Sequence, residues 1–279
     1  MGEPGVTTVS DHAGAREVFR HKHLRQALYD AGEVVMADVL VNLHGEEHRA
    51  RRRLENRLFR RDSHARYERE LFPPIVAETL APYAAVGRAE LVSFSHELMM
   101  NLAAFTAGVD RPQRTSEETR RLYGYMMTFI EGATLAHYTG DHAAKRAEVA
   151  AALEAFDEEF LRPSIARRRE ALARLAEGAI EEDDLPRDVL TVLLRNLDQL
   201  RLPPEVVRRE TAFYLLAGAH TSATAFVRTL DALFELGVAE RGARDPVFLQ
   251  RCVHETVRLH PSSPVAARWA LEDVELADG

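Results

Sequence analysis

Between residues 211 and 227 the chain carries no Asp, Glu, Lys or Arg. A segment of that length and composition reads as a buried helix, and the rest of the fold must be arranged around it. Its centre is Tyr214-Leu-Leu-Ala-Gly-Ala-His-Thr-Ser-Ala-Thr224. Gly218 and Thr221 are odd choices there, because both lower helix propensity. Thr221 is placed to bond back to the carbonyl of Ala217, a contact that bends helices. Gly218 removes the side chain that would block close approach. Together they describe a small polar notch on an apolar helix. The alternative is close helix packing, the commoner reason for small residues in a buried helix.

Composition narrows what can surround this helix. The 279 residues are 46% hydrophobic and 29% charged, which suits one large globular domain over residues 1–279. A net charge of -8 argues against a general nucleic-acid binder, which needs a basic surface. The single cysteine, Cys252, excludes a disulfide framework or a cysteine-built cluster within one chain. It fits a reducing cytoplasm. Residues 1–10 lack the basic start and apolar run of a signal peptide. The uncharged segment is too short and too rich in Gly, Thr, Ser and His to span a membrane. A soluble, cytoplasmic protein without membrane or nucleic-acid partners is expected.

Periodicity and capping signals predict helices over 13–21, 46–60, 67–85, 89–107, 116–136, 141–177 and 187–197. A long helix opens at Pro203-Pro204 and carries the notch, and another runs from Asp245 or Pro246 to Pro261. Pro73-Pro74 should kink or divide the helix around it. Residues 30–44 read as loop and 178–184 as an acidic loop. Strand is expected only near the ends, at 6–9 and 265–276. Ala277-Asp278-Gly279 resembles the middle of a hairpin, so the last strand lacks a partner and the chain is expected to be incomplete.

Three constellations accompany the notch. His48 and Arg52 are four residues apart on one helix face and would clamp a carboxylate or phosphate; a solvated basic face is the alternative. Glu255 and Arg258 form an i, i+3 ion pair, common in a chain this charged. Arg268 stands alone in an apolar strand and needs a partner if it points inward.

In this order, these residues resemble the cytochrome P450 family of haem-thiolate monooxygenases. The segment Asn42-Leu-His-Gly-Glu-Glu-His-Arg-Ala-Arg-Arg52 is similar to the family's propionate-gripping helix. Ala217-Gly-Ala-His-Thr221 is similar to its oxygen-binding segment, with His220 standing where an acid is usual. Glu255-Thr-Val-Arg258 matches the family's structural ion pair, and Arg268 falls where a second propionate-binding Arg is found. Asp183 to Leu194 resembles the helix before the oxygen-binding one. The resemblance implies a mainly α fold with a little β at both ends, cut off before the loop that supplies the cysteine ligand. Cys252 does not replace that ligand.

The resemblance further implies haem b as cofactor, and oxidation of a small apolar molecule with O2 and external electrons. The catalytic groups would be Thr221, His220, Gly218 and Ala217. His48, Arg52 and Arg268 would hold the cofactor's carboxylates. A ferredoxin or flavodoxin-type donor would dock at residues 49–61, which hold seven Arg against one Glu, Glu55. Substrate contacts are expected in 34–43 and 126–138. A haem-free scaffold or auxiliary partner protein is the alternative. A remote third reading is a zinc peptidase, because His44-Gly-Glu-Glu-His48 matches His-x-x-Glu-His.

Overall fold

The computed structural model describes residues 5–276. Among them are fourteen α-helices and one short sheet. The helices are α1 (His12–Arg20), α2 (Glu33–Met36), α3 (Gly45–Glu55), α4 (Arg61–Arg66), α5 (Phe72–Val86), α6 (Leu91–Ala107) and α7 (Ser116–Ala133). They continue as α8 (His142–Phe156), α9 (Arg162–Ala176), α10 (Val189–Arg195), α11 (Leu197–Leu200), α12 (Pro204–Glu235), α13 (Ala239–Arg244) and α14 (Pro246–Leu259). The sheet pairs β1 (Leu24–Gln26) with β2 (Arg268–Ala270).

Side-chain caps set many of the helix starts. Asp11 accepts from the Gly14 amide at 2.9 Å, Glu90 from Ser93 at 2.7 Å, and Asp245 from Phe248 at 3.0 Å. Gly87 and Gly108 close α5 and α6 with φ of 75° and 90°, conformations that cost other residues strain. Two helices expected to be long are interrupted. A π turn at Tyr67–Leu71 precedes Phe72-Pro73, and another at Asp157–Leu161 precedes Arg162-Pro163. Proline lacks an N–H and its ring crowds the preceding turn, so the ladder widens just ahead of it.

The core gathers around α12, which packs along α6 and against α7, α10 and α14. Leu215 and Ala219 of α12 share one buried cluster with Met100 and Ala104 of α6 and Met126 and Phe129 of α7. The 30–44 segment departs from the expected loop. It holds α2 between two 3-10 turns, and Val35, Met36, Val39 and Leu40 are buried. One-turn pieces are too short to show a period in the sequence. Gly32 lies so close to the end of α7 that a Cβ there would come within 2.7 Å of the Gly132 carbonyl.

Strand also falls differently. Residues 6–9 are not a strand; β-propensity needs a neighbour to pair with, and Val6-Thr-Thr-Val9 has none. The strand near the start is Leu24–Gln26, antiparallel to β2 with Leu24 opposite Ala270 and Gln26 opposite Arg268. The expected run over 265–276 yields three paired residues, and the turn expected at 277–279 lies outside the described residues. Helix α13 has no counterpart among the expected elements.

Candidate functional site

The notch forms on α12, but on an open face. Leu215, Ala219 and Ala223 are buried, whereas Gly218, Thr221 and Ser222 are exposed. The uncharged segment is therefore covered on one side only, not all round. The Thr221 hydroxyl donates to the Ala217 carbonyl at 2.7 Å, and the Ser262 hydroxyl to the Thr221 carbonyl at 3.2 Å. A Cβ on Gly218 would meet only the Ala103 Cβ, at 3.4 Å, an ordinary contact. Close packing among the described residues therefore does not require a glycine here.

His220 turns the other way. Its ring stacks on His96 of α6 at 6.4 Å, and His96 stacks on Tyr123 of α7 at 5.0 Å. The Tyr123 hydroxyl and His96 Nδ1 are 3.0 Å apart. Burial, and then the neighbouring His220, hold His96 below the usual imidazole range. His220 Nδ1 is buried without a protein partner. Consecutive helix positions lie about 100° apart, which is why Thr221 faces out and His220 faces the α6–α7 seam.

The three groups expected to grip carboxylates share a property. None has a carboxylate partner among the described residues. Arg52 is exposed, with its guanidinium 4.9 Å above the Phe59 ring. Half-buried His48 is held below its usual range by desolvation and then by Arg52. Arg268 lies 4.5 Å above Phe19 and donates to the Ala267 carbonyl at 2.9 Å, its pKa lowered by desolvation. By contrast Arg25 pairs with Asp30, and Arg168 with Asp188, both at 2.8 Å. Two guanidinium groups without an ion-pair partner and an imidazole held toward its neutral, hydrogen-bonding form suit a ligand that brings its own carboxylates. Together with the open glycine, the donor set fits haem on its propionate and distal sides.

Glu255 and Arg258 form a bidentate pair at 2.7 and 2.8 Å on the exposed face of α14. Cys252 is half-buried on the same helix. Asp188, within the segment expected as the helix before the notch helix, caps α10 through the Thr191 amide at 2.7 Å.

The zinc-peptidase reading is corrected. Residues 44–48 do not form the continuous helix a zinc peptidase needs. His44 is extended, with φ of -136°, Gly45 has φ of 63°, and His44 Nε2 is engaged with the Lys22 carbonyl. The described residues hold no group of three or more His, Cys, Asp or Glu placed for a metal ion. Segments 34–43 and 126–138 do meet; Met36, Met126, Phe129 and Leu135 are fully buried, whereas Val41, Met127 and Ile130 are half-buried and Tyr138 is exposed. The basic segment 49–61 is not a uniform face, because Arg51 is buried and bonded to Glu210 at 2.9 Å.

That last contact belongs to a cluster unforeseen from the sequence. Glu55 and Glu210 are completely buried. Glu210 accepts from Arg51 and from the Leu40 amide, each at 2.9 Å, and Arg51 also donates to the Asp38 carbonyl. The Tyr214 hydroxyl donates to Glu55 at 2.5 Å. Burial raises the Glu55 carboxyl, and burial together with Glu55 raises Glu210 to about 8. The available signal was Glu55 as the lone acid among arginines, four residues after Arg51, matched by Tyr214 four after Glu210.

No protein family's sequence model matches this chain, and no curated protein matches it. Solved structures do. The P450 heme domain of Tepidiphilus thermophilus aligns with 18% identity and a TM-score of 0.70, covering 96% of this chain and 64% of that one. Epothilone D-bound cytochrome P450epoK aligns with 17% identity and a TM-score of 0.71, covering 95% and 64%. P450BioI, in complex with acyl carrier protein ligated to hexadec-9Z-enoic acid, aligns with 16% identity and a TM-score of 0.69, covering 93% and 64%. The chain thus spans 64% of the length of each of these three. Nearly all of it carries the helical fold of the cytochrome P450 structures.

Proposed function

We propose that this chain supplies the distal side and the carboxylate grip of a haem site in a monooxygenase that oxidises a small apolar molecule with O2. The observation that carries the reading is Gly218 beside Thr221: a mid-helix glycine on an open face, with no internal packing to explain it. Bound haem would supply oxygen activation. The chain's own residues do the rest. Arg52 and Arg268 would neutralise the propionates, and His48 would hydrogen-bond one of them. Gly218 lets the ligand approach the α12 backbone. Thr221 holds a hydroxyl there that both donates and accepts, and His220, one residue away, keeps a ring nitrogen without a protein partner. Electrons come from a cytoplasmic ferredoxin or flavodoxin-type donor at exposed Arg49, Arg53, Arg57, Arg60 and Arg61, where opposite charge speeds encounter.

A haem-free scaffold or auxiliary partner is the second reading, favoured by the place of the one cysteine on the ion-pair helix α14. Hemin titration of the purified chain separates the two. Saturable uptake that Arg52→Gln and Arg268→Gln both weaken supports the haem reading. Uptake indifferent to both substitutions overturns the carboxylate grip. No uptake favours the scaffold. Reduction under carbon monoxide then shows whether a thiolate reaches the iron, by a red-shifted Soret band.

A further inference from the structure

Arg52 makes no ion pair among the described residues, yet it is not free to wander. Its guanidinium sits 4.9 Å above Phe59, whose ring is stacked on Tyr214 at 6.3 Å and 26°. Tyr214 in turn is fixed by its hydrogen bond to Glu55. The route begins and ends on α3, at Arg52 and Glu55, and passes through α12 at Tyr214. Phe59 is 43% exposed, so the ring has no deep pocket of its own to hold it, and Tyr214 is its stacking partner.

We propose that Phe59, Tyr214 and Glu55 are positioning residues that aim Arg52, and that Arg51 and Glu210 anchor the far end of this device. The pairing has a consistent register: Arg51 faces Glu210 and Glu55 faces Tyr214, two i, i+4 pairs set against each other across α3 and α12. It ties the helix carrying the carboxylate-gripping Arg to the helix carrying the notch. An aromatic ring beneath a guanidinium leaves its N–H fork free at the rim, which suits capture of a planar ligand's carboxylate. The proposal rests on the reading of Arg52 as a cofactor-carboxylate ligand for its purpose, but not for its geometry.

Two measurements on the full chain separate the parts. The first is NMR of the Arg52 side chain, with Arg53 as the neighbouring control. The Phe59 ring current shifts the Arg52 Cδ protons upfield. Phe59→Leu abolishes the shift, and Tyr214→Phe, which keeps the ring but loses the bond to Glu55, reduces it. An Arg52 shift unchanged in Tyr214→Phe overturns the proposal. The second is the affinity for metal-free protoporphyrin IX, read by fluorescence. Arg52→Gln weakens it, and Tyr214→Phe weakens it roughly two- to fivefold, the scale of one exposed cation–π contact. If Arg52→Gln weakens binding and Tyr214→Phe does not, positioning is overturned. If neither matters, the cofactor reading falls, while the ring-current result still decides whether Arg52 is aimed.

Discussion

Gly218 puts a backbone-entropy cost in the middle of a helix where an added methyl would touch only Ala103. Gly218→Ala should therefore stabilise the chain by about 0.5–1 kcal/mol, visible as a higher urea midpoint at unchanged slope. A lower midpoint would show that α12 needs the glycine for its own packing. His96 offers a second check. Its pKa is depressed by burial and then by His220, so its contribution to stability is present above the ordinary value of 6.5 and is lost as pH falls below it. In His220→Ala an NMR titration should find His96 closer to that value; an unmoved His96 would contradict the stacked pair. The Thr221 back-bond and the notch residues could be read from the sequence because helical spacing alone brings residue 221 to the carbonyl of 217. The outward turn of that face could not, because a run without charges carries no sign of which side is covered.

At the scale of elements, the seam between α3 and α12 is the most consequential polar feature. Two buried carboxyls, Glu55 and Glu210, face the single guanidinium of Arg51, while Arg209 is engaged with Asp38 at 3.1 Å. One carboxyl of the pair keeps a proton near neutrality. Glu210 is raised from 4.5 to about 8, so the pair's contribution is present in full below pH 4.5 and is lost as pH rises to about 8. Thermal melts across that range should fall for the native chain and stay flatter for Glu210→Gln. Glu210→Ala should cost about 3–5 kcal/mol, because it strands Arg51 in the interior. A second buried network makes a similar claim on α9 and α10. Arg168 bridges Asp188 and Asp110, both at 2.8 Å. Most helices were legible from caps and periodicity, since Asp11, Glu90 and Asp245 act locally. These cross-links were not, because the partners lie 159 residues apart in the case of Arg51 and Glu210. The first π turn was half-legible, because Pro73-Pro74 marked a break without showing its form; the second, at Asp157–Leu161, falls inside a helix expected to run unbroken over 141–177.

For the molecule as a whole, exposed apolar side chains gather toward the end of the chain. Phe234, Leu236, Val265 and Trp269 are 68%, 75%, 67% and 61% exposed. Trp269 is the only tryptophan, so the emission of the chain reports this region alone. Its fluorescence should be readily quenched by iodide; a shielded signal would mean that a second copy or another surface covers it. No helix among the described residues is long and apolar enough to cross a membrane. The β1–β2 pairing brings Leu24 beside Ala270, which has a kinetic meaning. Those two residues cannot meet until almost all of the intervening polypeptide has been synthesised. Closing so large a loop costs only about 0.6 kcal/mol more per doubling of length, yet two three-residue strands cannot offset even that without help. The helices must already stand in place before the ends find each other. The sheet is therefore a late clasp in folding, and the amides of Arg25 and Trp269 should be among the earliest to exchange with deuterium.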